Sequence, residues 1–436
     1  MAHVIPFSAM RFDRNTVCDL SAVTAPPYDV ISPEQQSKLY DRHPFNIVRL
    51  ELGAQFDDDD EYNNRYTRSR NILDEWFESG ILQCDLTPSF YIYGQEFTLK
   101  NGRTLFCKGI MALVRLEDFG DGVILPHEDT MQKERNDRYN LISATGANFS
   151  PVYAIYNDDD NIITDAVNSV AVNTPPETEF SLFDVNQRLW TVSDSETVAK
   201  IQNAFENKKL FIADGHHRYA AALNYRNMMR DKNPDHTGKE PYNYIMMFLC
   251  ETTDPGLTVF PTHRLVKNVM DFDESTVISR LKEDFFVEKI PLSKEAGEEI
   301  EIYLSQNLGK KIFAMYTGKE YYYSLVLKDL ETAKSAHEDK SAAFSCLDVT
   351  VLHTLILEKV LGIDKESLQT GRNLAYARDF VQAGEMAKTP AYQCAFFLNP
   401  TKIHEVCDVA LAHETVPQKT TYFYPKPIAG LIMNKF

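Results

Sequence analysis

"LFIADGHHRYAAALNY", residues 210–225, moves from apolar residues through Asp214, Gly215, His216, His217 and Arg218 into an alanine-rich run. The pattern predicts a short buried strand over 210–213, a turn, and a helix over 219–230. A strand that passes directly into a helix leaves the first N–H groups of the helix facing outward, and with the helix dipole these favour an anion. Gly215 permits close backbone approach or a positive φ. Arg218 adds a fork of donors suited to phosphate or carboxylate, and the two histidines add imidazoles. Asp214 is placed to cap the helix, fix a histidine tautomer or hold a magnesium ion. Together these residues read as a phosphate cradle. The plainer alternative is an ordinary Asp-Gly turn with structural histidines.

Strands and helices alternate around this stretch. Residues 188–192 read as a strand. Residues 193–209 read as a helix, with Ser193 and Glu196 as its capping box. Residues 242–251 and 257–266 read as two more strands. Upstream, Ser32, Pro33 and Glu34 mark a helix start, and 89–116 reads as a hairpin turning at "KNGR". "YTGKEYYYSLVL" reads as a second hairpin. Residues 345–363 form an amphipathic pattern with Leu347, Val351, Leu355 and Ile356 in register and Gly362 at its end. The order predicts a mixed α/β (α+β) fold. We expect an N-terminal lobe over 1–160, a core over 161–270, a peripheral insertion over 271–340, and a C-terminal segment over 341–436 that packs back on the core.

Further stretches carry candidate chemistry. "LPHEDT" (125–130) presents His127 and Glu128; Met131 stands where a zincin would need histidine. Glu128 is a candidate general base for a hydroxyl, with His127 supporting it or holding a metal. A solvated turn is the alternative. "FPTHRLV" (260–266) offers His263 and Arg264 as a clamp on an anion, or as a satisfied strand end. "APPYDVI" (25–31) offers Asp29 as a metal or base residue, although its proline pair also serves shape alone. "QKTTYFYPK" (418–426) supplies Lys419, or a strand that seals a core.

With 45 lysines and arginines against 63 acids, the 436-residue chain carries a formal charge of −18. That surface repels a polyphosphate backbone, so broad nucleic-acid binding is not expected. A local pocket for a small phosphorylated ligand remains open. Seven scattered cysteines, none in C-x-x-C, argue against a disulfide framework or a zinc ribbon and for reduced thiols. No apolar run suits a membrane span and no secretory start is visible, so a cytoplasmic protein is expected. P-loop, dinucleotide-binding and serine-hydrolase signatures are missing.

"FIADGHHRYAAAL" resembles the signature box of the ParB/sulfiredoxin-like superfamily. "IPFSAMRF", "APPYDVIS", "HPFNIVRLELG", "LPHEDT", "ADGHHRY", "PTHRLV", "LDVTVLH" and "KTTYFYPKPIAGL" resemble the domain of unknown function 1015 family (DUF1015) over nearly the whole chain. The superfamily resemblance implies a strand-turn-helix core that cradles nucleotide phosphates, here elaborated by additional α/β lobes. It includes free serine kinases with a similar D-G-H-H-R box. That likeness implies an adenine nucleotide as co-substrate, with Asp214, Gly215, His216, His217 and Arg218 at its phosphates.

The expected activity is phosphoryl transfer between a nucleotide and a small hydroxylated metabolite, free serine or phosphoserine first, in either direction. Asp214 and Asp29 would hold magnesium, and Glu128 would act as base. His127, His263, Arg264 and Lys419 would bind substrate. In a variant, His216 or His217 is itself the nucleophile. The competing class is a non-catalytic nucleotide- or metabolite-binding regulator; a phosphatase or nuclease-like hydrolase comes third. A homodimer is compatible with all three.

Overall fold

Leu210–Asp214 is a strand, and Gly215, at φ +91°, turns it straight into the helix His216–Lys232. Only a residue without a Cβ adopts that φ at no cost. The helix starts three residues earlier than its alanine-rich pattern suggests. Tyr219, Ala222 and Leu223 on its inner face join Leu210 and Ile212 of the strand in one apolar core. The computed structural model describes residues 1–364, 367, 371–417 and 419–436.

The chain divides into two units. The first comprises residues 1–126, 130–258 and 425–436; the second comprises 127–129 and 259–424. In the first unit, Leu210–Asp214 lies one strand from the edge of a nine-stranded sheet. The order runs Ile124–Leu125, Leu210–Asp214, Val152–Tyr156, Tyr244–Glu251, Thr104–Arg115, Phe90–Thr98, Val185–Val192 and Thr178–Leu182, with Val4–Ile5 beside Thr104–Arg115. The Ile124–Leu125 and Leu210–Asp214 strands pair in parallel, as do Val152–Tyr156 and Tyr244–Glu251. Ile110, Ile212, Leu249 and Phe205 lie in the core that the helices cover.

In the second unit six strands pair antiparallel in the order Phe285–Pro291, Tyr321–Leu327, Ile312–Tyr316, Cys394–Leu398, His263–Val266 and Leu374–Ala377. The 271–340 segment thus contributes strands to the same sheet as the C-terminal segment. Both units mix helices with sheets, and the fold is α+β.

Local chemistry explains most elements. Ser32 accepts from Gln35 N and Gln35 answers to Ser32 N, which completes a capping box ahead of the Pro33–Arg42 helix. The 89–116 hairpin forms as Phe90–Thr98 and Thr104–Arg115. Two expectations shift. Asp194, not Ser193, caps the Ser195–Phe205 helix, because its carboxylate accepts from Thr197 N at 2.8 Å. The expected 257–266 strand breaks into Thr258–Phe260 and His263–Val266 around Pro261, which has no N–H to give a ladder. Residues 348–358 are helical, but widen to π-type turns over Leu352–Glu358. Leu347, Val351, Leu355 and Ile356 are buried, as their spacing predicts. Among the described residues no helix is long and apolar enough to cross a membrane.

The central pairing of the first unit has no spare room at Gly109. A Cβ there would lie 2.3 Å from the Leu249 carbonyl oxygen on the neighbouring strand. Gly109→Ala should lower unfolding stability by about 1–3 kcal/mol, as overpacking does. Urea titration checks this; an unchanged midpoint would contradict it.

Candidate functional site

The residues singled out from the sequence gather in two groups, one in each unit. In the first unit the Asp214–Gly215 turn anchors a network of charges. Asp214 receives Arg218 Nη2 at 2.7 Å, one helical turn further on. Its other oxygen meets the Lys426 ammonium, which also reaches Asp29. Burial pulls the Lys426 pKa down, but the Asp214 and Asp29 carboxylates outweigh it and hold the ammonium well above its ordinary value. Asp29 sits in the short 3₁₀ turn Tyr28–Val30 that follows the proline pair.

Arg218 is engaged by protein partners. Nη1 donates to Ser150 Oγ at 3.0 Å and to the Pro151 carbonyl. The guanidinium folds back over Gly215, where a Cβ would come within 2.9 Å of Nε. Ser150 Oγ donates in turn to Glu51 Oε1 at 2.8 Å, and Arg138 Nη1 lies 3.2 Å from the same oxygen. Arg138 stacks on the Tyr28 ring, 3.8 Å from its centroid. A half-open pocket with about 30 Å³ of room lies among Glu51, Arg138, Ser150 and Arg218, enough to admit water. Arg218 Nε is buried with no hydrogen-bond partner.

The paired histidines differ. His216 is buried, while His217 is half-buried. His217 Nε2 accepts from Met131 N at 3.0 Å, so that nitrogen carries no hydrogen and ties the turn to the start of the Gln132–Thr145 helix. Gly215, in the N-cap position, brings no side chain to the first turn of its own helix.

In the second unit Glu128 lies against Val416, Thr420 and Thr421. Its Oε1 is 3.3 Å from Thr420 N and 3.5 Å from both Thr421 N and Thr421 Oγ1. His127 is buried, with Nε2 3.0 Å from Thr421 Oγ1 and 3.9 Å from Glu128 Oε1. Arg264 is fully buried. Its Nε points at His353 Nε2 at 3.3 Å, and Nη2 reaches the Lys419 carbonyl at 3.4 Å. Burial lowers the Arg264 pKa to about 10, with the Tyr376 and Glu128 charges opposing, so the group stays cationic at neutral pH. Lys419 is exposed and has a positive φ of 61°. His263 is sealed between the rings of Phe380 and Phe397, with centroids 4.2 and 5.0 Å away, and neither ring nitrogen has a partner.

Residues 4–350 match the family described as a protein of unknown function, DUF1015. The chain belongs to that family. No curated protein matches it. The solved structures similar to this DUF1015 chain include a free serine kinase variant in complex with AMP. That pair is 18% identical at a TM-score of 0.36, over 73% of this chain and 91% of the other. A conserved hypothetical protein from Pyrococcus furiosus is 20% identical at a TM-score of 0.34, over 73% and 94%. SbnI with a C-terminal truncation, from Staphylococcus aureus, is 11% identical at 0.34, over 72% and 82%.

Sequence reasoning chose Lys419 from the basic C-terminal segment and passed over Lys426, the buried lysine that joins Asp29 to Asp214. The signal was the "PKP" at 425–427: a charge held between two prolines, in an otherwise apolar run, has a fixed backbone and a fixed target. Glu51, Ser150 and Arg138 carried no local signal, because their meeting is tertiary.

Two predictions follow from these groups. Lys426→Met leaves two carboxylates without their shared ammonium and should cost about 3–5 kcal/mol, the usual penalty for breaking a buried ion pair; denaturant unfolding measures it. His263, with its pKa lowered to about 3 by burial and by Arg264, stays neutral in the fold while the unfolded chain protonates near 6.5. Its contribution is complete above pH 6.5 and declines by about 1.4 kcal/mol per pH unit as pH falls from there toward 3. His263→Phe should therefore flatten the acid limb of the stability curve. An unchanged limb would show that the histidine titrates in the fold.

Proposed function

We propose that this protein is a nucleotide-dependent phosphotransferase acting on a small hydroxylated metabolite, with free serine or phosphoserine as the first candidates. The observation that carries the reading is the turn at Gly215. A helix of 17 residues starts directly from a strand end, with glycine at its N-cap and the paired charges of Asp214, Arg218 and Lys426 around it. Such an end favours an oxyanion, because backbone N–H groups and the helix dipole point the same way. In this reading His217, half-buried beside the turn with Nε2 accepting from Met131 N, contributes its ring to the site.

Arg218 acts in this scheme as a brace. Held by Asp214, Ser150 and Pro151, it fixes the turn and lends its charge to the site. Asp29 and Asp214 already share one ammonium, and a divalent ion between them would compete with Lys426 for the same oxygens. The residues therefore do not fit a resident magnesium well, and we assign magnesium as the ion that arrives with the nucleotide.

One observation favours the second reading, a nucleotide-binding regulator. The carboxylates that a kinase would use for metal are internally neutralised, which suits a site that binds an anion without transferring it.

Melting of the protein with ATP, ADP or AMP, each with and without magnesium, tests binding; the free serine kinases solved with AMP and ADP motivate these probes. Transfer of labelled phosphate to L-serine tests turnover. Arg218→Ala should weaken nucleotide affinity at least tenfold. A nucleotide that stabilises the fold yet stays intact with every acceptor would favour the regulator. No stabilisation by any of them would end both readings.

A further inference from the structure

Cys107 and Cys250 are 143 residues apart in the chain, yet their Sγ atoms lie 3.8 Å apart on adjacent strands of the first unit's sheet. Asp254 joins them. One sulfur from each cysteine and a carboxylate oxygen all lie within 4.8 Å of one another. From these groups we propose a divalent-metal site of the zinc class, with two thiolates and one carboxylate as protein ligands. It is independent of the nucleotide reading.

Three features of the cluster fit zinc. The first is distance. Two zinc–sulfur bonds of about 2.3 Å at a tetrahedral angle set the sulfurs about 3.8 Å apart, whereas a disulfide needs about 2.0 Å. The sulfurs already stand at the separation that the metal would impose. The second is charge. Zinc with two thiolates and a carboxylate carries one net negative charge, and Lys108 Nζ lies 3.3 Å from Asp254 Oδ2 to cancel it. A neutral assembly is what a buried position tolerates. The third is the fixing of the carboxylate. Asp254 Oδ1 accepts from Gly256 N at 2.9 Å, and Gly256 presses against the strand so closely that a Cβ would lie 2.2 Å from Cys107 N. Each carboxylate oxygen keeps a further lone pair for a metal.

Access comes from the turn. Both sulfurs are fully buried, but Thr253 and Pro255 on either side of Asp254 are exposed. The Tyr153 hydroxyl lies 3.8 Å from Cys107 Sγ, so the phenol or a water stands nearest to the fourth position. Binding exchanges two S–H bonds for two Zn–S bonds, and both protons leave to solvent. Because both thiols must lose a proton, uptake should strengthen as pH rises.

The test uses the full chain with Cys18→Ser and Cys84→Ser, which removes the two exposed thiols. Titration with cobalt(II) should give one ion per chain, thiolate-to-metal absorption in the near ultraviolet, visible bands of a tetrahedral site, and release of two protons. Zinc should displace the cobalt. Cys107→Ser or Cys250→Ser should abolish the ultraviolet band or halve it, and Asp254→Asn should weaken binding roughly tenfold or more. A folded chain that takes up no cobalt overturns the proposal. So does absorption that survives in the Cys107→Ser/Cys250→Ser double variant, or a mass two hydrogens low that marks a disulfide between the pair. Should the serine variants fail to fold, the stoichiometry, spectrum and proton count of the parent chain decide alone.

Discussion

The first unit depends on one carboxylate. Asp214 ends a buried strand and precedes a glycine whose left-handed φ sends the chain into a helix, so its position is set by two rigid elements at once. Two cations converge on it, Arg218 from the next helical turn and Lys426 from the far end of the chain. Removing an ion pair from water costs several kcal/mol per ion, and geometry must return that cost. Here it does so through fixed partners: Lys426 bridges a second acid, Asp29, and Arg218 continues to Ser150 and then Glu51. Each member limits the freedom of the next. Strand order, the proline-flanked lysine and the Tyr28–Val30 turn are thereby held in one arrangement.

That network changes what the D-G-H-H-R stretch can do. Read as a sequence, it offers an anion Gly215, His216, His217 and Arg218, with Asp214 to cap the helix, fix a histidine tautomer or hold a metal. In the structure Arg218 and Asp214 are engaged with each other and with neighbours, and His217 Nε2 accepts from the start of another helix. On the proposed reading the first backbone N–H groups of the helix would carry the anion. A phosphate held by main-chain N–H groups is gripped without the entropy cost of ordering long side chains. The side chains serve chiefly to keep the backbone in place.

The sequence made the strand-turn-helix legible because its signals are local: an apolar run, a glycine and a change of period. The 89–116 hairpin and the Ser32 cap were legible for the same reason. The first break came at Pro261, where alternation continued through a residue that cannot join a ladder. The second came in the site itself. Lys419 and Lys426 look alike in composition, but one has an exposed side chain at positive φ and the other is a buried bridge. Only the partner, hundreds of residues away, distinguishes them.

Buried polarity takes two forms in this protein, and the contrast carries information. Around Asp214 each charge meets an opposite charge, which is the arrangement of a structural network. At His263 a ring with two polar nitrogens sits against phenyl faces without a partner. Such a group costs free energy in the folded state, and the cost grows on acidification because only the unfolded chain accepts the proton. Cys107 and Cys250 lie between these extremes. Neutral thiols bury at little cost, so the pair is stable as it stands, yet it is adjacent to a carboxylate and an ammonium that would balance the charge of a metal. A sulfur pair packed only for volume would gain nothing from those two neighbours. Their presence at the same strand end is what separates a latent ligand set from ordinary packing.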